Sequence, residues 1–182
     1  VSTKEGDRSR WQRWRGVLIT VVIAIAVAFG VRTFLFESFY VPSGSMLPTI
    51  QIGDHMIVEK IAYDLHPVEF GNIVVFHTPK NDPVAPDVHF LVKRVIGLPG
   101  QVIWSHDGQV YINGRQKPEP FLPRGVVTTG IPRQRIPQGE VYVLGDNRED
   151  SADSRVFGPI PESSIVGQVV LIYYPLSQWR IF

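Results

Sequence analysis

The sequence predicts a mainly β protein, one N-terminal transmembrane helix followed by a β domain, and three observations carry that prediction. A run without charge, residues 16–31 (GVLITVVIAIAVAFGV), follows a basic segment. Beyond Glu37 no ten-residue stretch repeats apolar residues at helical spacing, and the chain's 15 prolines and 16 glycines interrupt it every few residues. Short runs rich in Val, Ile, Phe and Tyr recur instead, at 39–41, 56–60, 73–77, 88–96, 101–105, 109–113, 141–144 and 165–174.

The basic segment, residues 1–15, holds Lys4, Arg8, Arg10, Arg13 and Arg15 against Glu5 and Asp7. A helix crossing the hydrocarbon core needs roughly 20 mostly apolar residues. The apolar run reaches that length when Arg32 snorkels to the interface and Thr33, Phe34, Leu35 and Phe36 continue the helix, which gives a span over residues 16–36. A cleaved leader shares the basic start, but its core is about 7–15 residues and leaves through a small-x-small site. Bulky Phe34, Leu35 and Phe36 stand here instead, so the segment reads as a retained, single-pass anchor. Five cations precede the span and Arg32 alone follows closely, so the positive-inside rule places the N-terminus in the cytoplasm and residues 37–182 outside. Trp11 and Trp14 fit interfacial positions at the cytoplasmic end.

Within the exported part, runs 101–105 and 109–113 flank His106-Asp107-Gly108, and Asp-Gly marks a hairpin because both residues accept positive φ. Residues 117–138 carry five prolines among Arg124, Arg133 and Arg135, and read as an extended or mobile flap without its own core. The tail residues Trp179, Ile181 and Phe182 read as packed, with contact to a membrane as the alternative.

Composition excludes several functions. With 44% hydrophobic and 19% charged residues the chain is globular rather than disordered. A formal charge of +1 offers no global field for nucleic acid, and none is expected as a partner. The absence of cysteine removes thiol nucleophiles, disulfides and Cys-ligated metals.

Three segments carry candidate chemistry. Pro42-Ser43-Gly44-Ser45-Met46-Leu47-Pro48-Thr49 sets two serines and a glycine at a strand end, where a hydroxyl needs a nearby base to act and an ordinary turn is the bland alternative. In run 88–96 alternation gives Lys93 the apolar same-face neighbours Leu91 and Val95. Such flanks strip water from an ammonium and favour the neutral amine, a general base; a lysine guarding a sheet edge is the alternative. The polar stretch 145–155 is either a solvated turn or a hydrogen-bond network that orients groups from elsewhere.

Taken together, the anchor, Pro42-Ser43-Gly44-Ser45-Met46, Lys93-Arg94-Val95-Ile96-Gly97 and Gly145-Asp146-Asn147-Arg148 with Ser151, Asp153, Ser154 and Arg155 resemble bacterial type I signal peptidases, membrane-anchored endopeptidases with a Ser-Lys dyad. The resemblance implies Ser45 as nucleophile, Lys93 as general base, Ser43 as an oxyanion donor and Ser151 as the group orienting Lys93. It also implies structural support from Arg94, Gly145, Asp146, Asp153 and Arg155, and no metal or other cofactor. The implied substrates are signal peptides of exported preproteins, cut after small residues. They would pair with strands 39–43 and 90–92 over pockets lined by Val41, Pro42, Met46, Ile50 and Val92. The implied location is the bacterial cytoplasmic membrane with the catalytic domain on its outer face, and the implied partners are the lipid bilayer and the protein-export machinery.

The match has departures. Gln101 and Glu149-Asp150 stand where an acidic residue and Asp-Asn are common in that family. Only 51 residues separate Lys93 from Gly145, so residues 97–140 form a reduced accessory insertion. Besides related Ser-Lys peptidases, such as autocleaving repressors, which would need a DNA-binding helix-turn-helix where the first 36 residues offer a membrane span, two rivals stand beside this reading. A Ser-His-Asp hydrolase could draw on His55, His66, His77, His89 or His106 but lacks a Gly-x-Ser-x-Gly elbow. A non-catalytic, membrane-tethered peptide-binding module would tolerate Ser45→Ala.

Overall fold

The computed structural model describes residues 5–80 and 88–182, so the first four residues of the basic segment lie outside the described part. The chain divides into two compact units, the first ending at Phe36 and the second spanning Glu37–Phe182.

The first unit is helix α1, Glu5–Leu35. Its apolar stretch, Trp14–Leu35, has 22 residues, a mean hydropathy of 2.4 and no buried surface. At about 1.5 Å per residue that stretch covers roughly the thickness of a hydrocarbon core, which a single-pass anchor requires. The helix begins before the expected span because arginine is a good helix former, and it stops one residue short where Phe36 opens the first strand. Thr20 and Thr33 donate their hydroxyls to the carbonyls of Gly16 and Phe29, at 3.0 and 2.8 Å. Neither hydroxyl therefore needs water inside lipid.

Among the described residues twelve strands follow the helix, all within the second unit except the first residue of β1. They are β1 Phe36–Tyr40, β2 His55–Glu59, β3 Ile73–His77, β4 Phe90–Gly97, β5 Val102–His106 and β6 Gln109–Ile112, then β7 Arg115–Gln116, β8 Gln134–Arg135, β9 Glu140–Leu144, β10 Ile160–Pro161, β11 Ile165–Tyr174 and β12 Arg180–Ile181. Single turns of helix, α2 Ala62–Leu65 and α3 Ser154–Phe157, interrupt them. All eight predicted runs become strands; the two-residue strands have no periodicity to betray them and are held by neighbours alone.

The main sheet runs β1-β2-β11-β3-β4-β9-β10, with β12 added to β11, and its recorded ladders are antiparallel. A smaller sheet runs β7-β6-β5-β8. At its hairpin His106 pairs with Gln109, while Asp107 and Gly108 take φ of 48° and 74°, as a two-residue primed turn demands.

The flap is better anchored than its composition suggests. Ile131 and Ile136 are buried with Ile96, Ile103, Val110, Tyr142 and Leu144, so the segment shares a core with β4 and β9. Gly97 makes this contact possible, because a Cβ there would sit 2.3 Å from Cδ1 of Ile136. The tail differs in the opposite sense: β12 is held by backbone pairing to Leu171 and Ile172, yet Trp179 and Ile181 stay 56% and 66% exposed. Pairing through the backbone satisfies N–H and C=O groups without covering side chains.

Candidate active site

Ser45 lies in the turn that follows β1. That turn is fixed at both ends: Val41 N–H donates to the Asp54 carbonyl at 3.0 Å, and Gly53 N–H donates to the Val41 carbonyl at 2.9 Å. Met46 and Ile50, 1% and 0% exposed, drive the turn into a core formed with β2, β3 and β11. Ser45 itself remains half-buried.

Lys93 comes from the middle of β4, opposite Val74 of β3. Its side chain is 2% exposed, and Nζ donates a 2.7 Å hydrogen bond to Ser45 Oγ. Forty-eight residues of sequence separation are thus closed to one hydrogen bond. His89, the histidine on the same predicted face, is exposed.

The polar loop after β9 holds this turn from the other side. Asn147 N–H donates to the Ser45 carbonyl and Asn147 Nδ2 donates to the Gly44 carbonyl, both at 3.1 Å. Gly145 passes so close that a Cβ would meet Ser45 O at 2.4 Å and Ser151 Oγ at 2.3 Å. Any larger residue would push the serine's own carbonyl aside.

Next to the loop, among the described residues, lie one buried and two partly buried ion pairs. Arg94 Nε and Nη2 donate to the two carboxylate oxygens of Asp146 at 2.8 and 2.6 Å, Nη1 donates to Gly71 O at 2.8 Å, and the guanidinium lies 4.1 Å from the Phe121 ring centre. Asp153 accepts from Arg155 Nε and Nη2, both at 2.8 Å, caps α3 through Arg155 N–H and receives Gly145 N–H at 3.1 Å. The hydrogen bonds that Arg155 donates to the Asp153 carboxylate raise the Arg155 pKa. Burial first, and the Asp153 charge second, push the nearby Tyr142 phenol above its usual range. Arg148 donates from Nε to Gly145 O at 3.0 Å, from Nη1 and Nη2 to Glu119 at 3.0 and 2.5 Å, and from Nη1 to Thr128 Oγ1.

Sequence reasoning missed the roles of Asn147, Arg148 and Glu119. Asn147 reaches the turn through its backbone N–H and its side-chain amide across about a hundred residues, and Arg148 and Glu119 meet across 29 residues, with no local pattern to join either pair. Among the predicted residues, Ser43 and Pro42 are exposed, and Val92 is half-buried against the core that contains Val41, Met46 and Ile50. Ser151 Oγ is buried beside the Ser45 carbonyl with no hydrogen-bond partner among the described residues, so its expected bond to Lys93 is not made.

Residues 14–174 match the family described as "Signal peptidase, peptidase S26". A "Probable signal peptidase I-1" of Synechocystis is 38% identical over 173 residues, covering 94% of this chain and 88% of that protein. "Signal peptidase IB" of Staphylococcus aureus is 36% identical over 180 residues, covering 90% and 91%. The crystal structure of a signal peptidase I from Enterococcus faecalis aligns with 28% identity and a TM-score of 0.48, over 57% of this chain and 97% of that one.

Proposed function

This chain belongs to the S26 family of signal peptidases, serine endopeptidases that remove signal peptides from preproteins, and on that premise we propose that Ser45 is its nucleophile and Lys93 its general base. The observation that carries the assignment is the 2.7 Å approach of Lys93 Nζ to Ser45 Oγ by a lysine only 2% exposed. Burial disfavours the ammonium and leaves a neutral amine able to accept a proton.

In the proposed reaction, Oγ of Ser45 attacks the scissile carbonyl while its proton passes to Lys93 Nζ. Collapse of the tetrahedral intermediate breaks the C–N bond, and the proton moves on to the departing amine of the mature chain. Neutral Lys93 then takes a proton from water, whose oxygen attacks the acyl-enzyme ester; the C–Oγ bond breaks, Lys93 returns the proton to Ser45 Oγ, and the signal peptide leaves with a free carboxyl group that ionises in water. The developing oxyanion would be met by the Ser45 backbone N–H and the Ser43 hydroxyl. Exposed Ser43 is free to rotate toward it.

The substrate's path follows from backbone left without a second strand neighbour among the described residues. Residues 90–92 of β4 pair with 75–77 of β3, whereas the recorded pairing with β9 begins at Arg94, so their other edge lies beyond β9. Terminal strand β1 faces this stretch, with the Phe39 and Phe90 rings 5.4 Å apart. An extended peptide would add between them by backbone hydrogen bonds. Val41, Met46 and Ile50, all buried, would form a shallow floor with Val92 and leave depth only for small side chains. Arg94, Gly145, Asp146, Asp153 and Arg155 would act as support, and Ser151 would orient the Lys93 amine.

Cleavage of a preprotein in detergent tests the assignment. Ser45→Ala is expected to be inactive, and Ser43→Ala to lose about 10²–10³ in kcat with KM little changed. Full activity in Ser45→Ala would overturn the reading. The bias of cations toward the N-terminal side of α1 supports a cytoplasmic N-terminus and an outward catalytic domain, the face on which the export machinery delivers substrate. Protease added to intact spheroplasts should then digest residues 37–182, and protection of that domain would reverse the orientation.

A further inference from the structure

A recess of about 480 Å³ opens beside the nucleophile turn, and it is separate from the slot between β1 and β4. Leu47 and Pro48 of the turn form one wall, Asn147 and Glu149 of the polar loop another, and Arg124 and Val126 of the flap the third. We infer that this recess receives the first two or three residues of the mature polypeptide, on the leaving-group side of the scissile bond. The inference rests on the Ser45–Lys93 reading above and extends it.

Continuity supplies the first argument. A peptide whose signal-peptide end lies along residues 39–43 and 90–92, with its scissile carbonyl at Ser45, must continue past residue 45. Leu47 and Pro48 follow Ser45 in the turn, Asn147 N–H holds the Ser45 carbonyl, and all three line the recess. Extended residues advance about 3.3–3.6 Å each, so two or three of them reach across the turn to the flap.

The second argument is that the walls are held in place. Glu119 and Thr128 bracket the flap segment, and both are bound by Arg148, which also holds Gly145 O. Thr128 N–H is further bound to Gly108 O at 2.8 Å. The flap wall and the loop that clamps Ser45 are therefore parts of one buried network.

Charge supplies the third argument. Asp146 and Arg148, which also line the recess, are committed to Arg94 and Glu119. Arg124 and Glu149 are exposed and enter no recorded ion pair among the described residues. The mouth thus offers one cation and one anion to the incoming chain, beside the apolar wall residues Leu47, Pro48 and Val126. It would favour short uncharged residues at the first position and respond to charge at the second and third.

Charge reversal tests this. Preproteins carrying Asp or Lys at the second and third positions after the cut are compared by kcat/KM in wild type, Arg124→Glu and Glu149→Lys. Arg124→Glu is expected to lose about two- to five-fold on the acidic substrate and to gain on the basic one, the scale of an exposed ion pair. Glu149→Lys should do the reverse, and about 0.5 M salt should erase both effects. Discrimination between Ala and Val at the position before the cut should not change. Unaltered charge preference in both variants, or an equal change at positions before the cut, would overturn the inference. The parallel Ser45→Ala control reports on the dyad alone, so its failure is distinguishable from failure of the recess.

Discussion

Lys93→Met will fold as the wild type does and cleave preproteins about 10²–10⁴ times more slowly, the range that a positioned general base supplies. Methionine matches the lysine stem in length and removes only the terminal amine, so packing around a side chain 2% exposed is retained. Ser45 Oγ loses its partner, but it is half-buried and water can replace that bond. Melting temperature should therefore hold while turnover collapses. Lys93→Arg sharpens the result, because a guanidinium stays protonated and cannot accept the serine proton. It should be as inactive as methionine although it keeps charge and hydrogen-bonding capacity. His89→Ala should retain activity, since His89 is exposed and lies outside the Ser45–Lys93 contact. Turnover surviving in Lys93→Arg, or lost in His89→Ala with the fold intact, would remove the lysine from the role of base.

The strands were legible because alternation and β-branched runs are local properties, and so was the hairpin, whose Asp107 and Gly108 carry their conformational preference with them. The site was legible only in pieces. A serine turn, a strand lysine and a polar loop each have an ordinary structural use, and nothing in any one segment says that the other two lie beside it. Their joint order, through resemblance to a family, was needed to bring Ser45 and Lys93 together across 48 residues. Links made by the tertiary fold stayed hidden. Arg148 with Glu119 and the Asn147 backbone with Ser45 O depend on how the flap and loop pack, and proline content alone suggested a flap without a core. Apolar residues were ambiguous for a related reason: Val41, Met46 and Ile50 suit a pocket or a core, and only the fold shows that they are buried in one cluster with Val92 packed against it.

Asp146→Ala is expected to give the largest loss of stability. Its carboxylate is fully buried, and Arg94, 6% exposed at the side chain, places two of its nitrogens on it. Removing one partner leaves a guanidinium in a dry site with, among the described residues, Gly71 O and the Phe121 face to compensate. Breaking such a pair costs about 3–5 kcal/mol. For a domain of this size each kcal/mol lowers Tm by about 2–4 °C, so a fall of roughly 10 °C is expected. The double variant Arg94→Met, Asp146→Leu separates stability from positioning. An apolar pair of similar volume should recover most of the Tm, because neither charge is then stranded. Activity should stay reduced, because Asp146 lies between Gly145 and Asn147, the two residues packed against the Ser45 carbonyl. Full recovery of kcat together with Tm would mean that the ion pair serves stability alone. A Tm change below about 2 °C in Asp146→Ala would show that water reaches Arg94 and that the pair is not buried in the working protein.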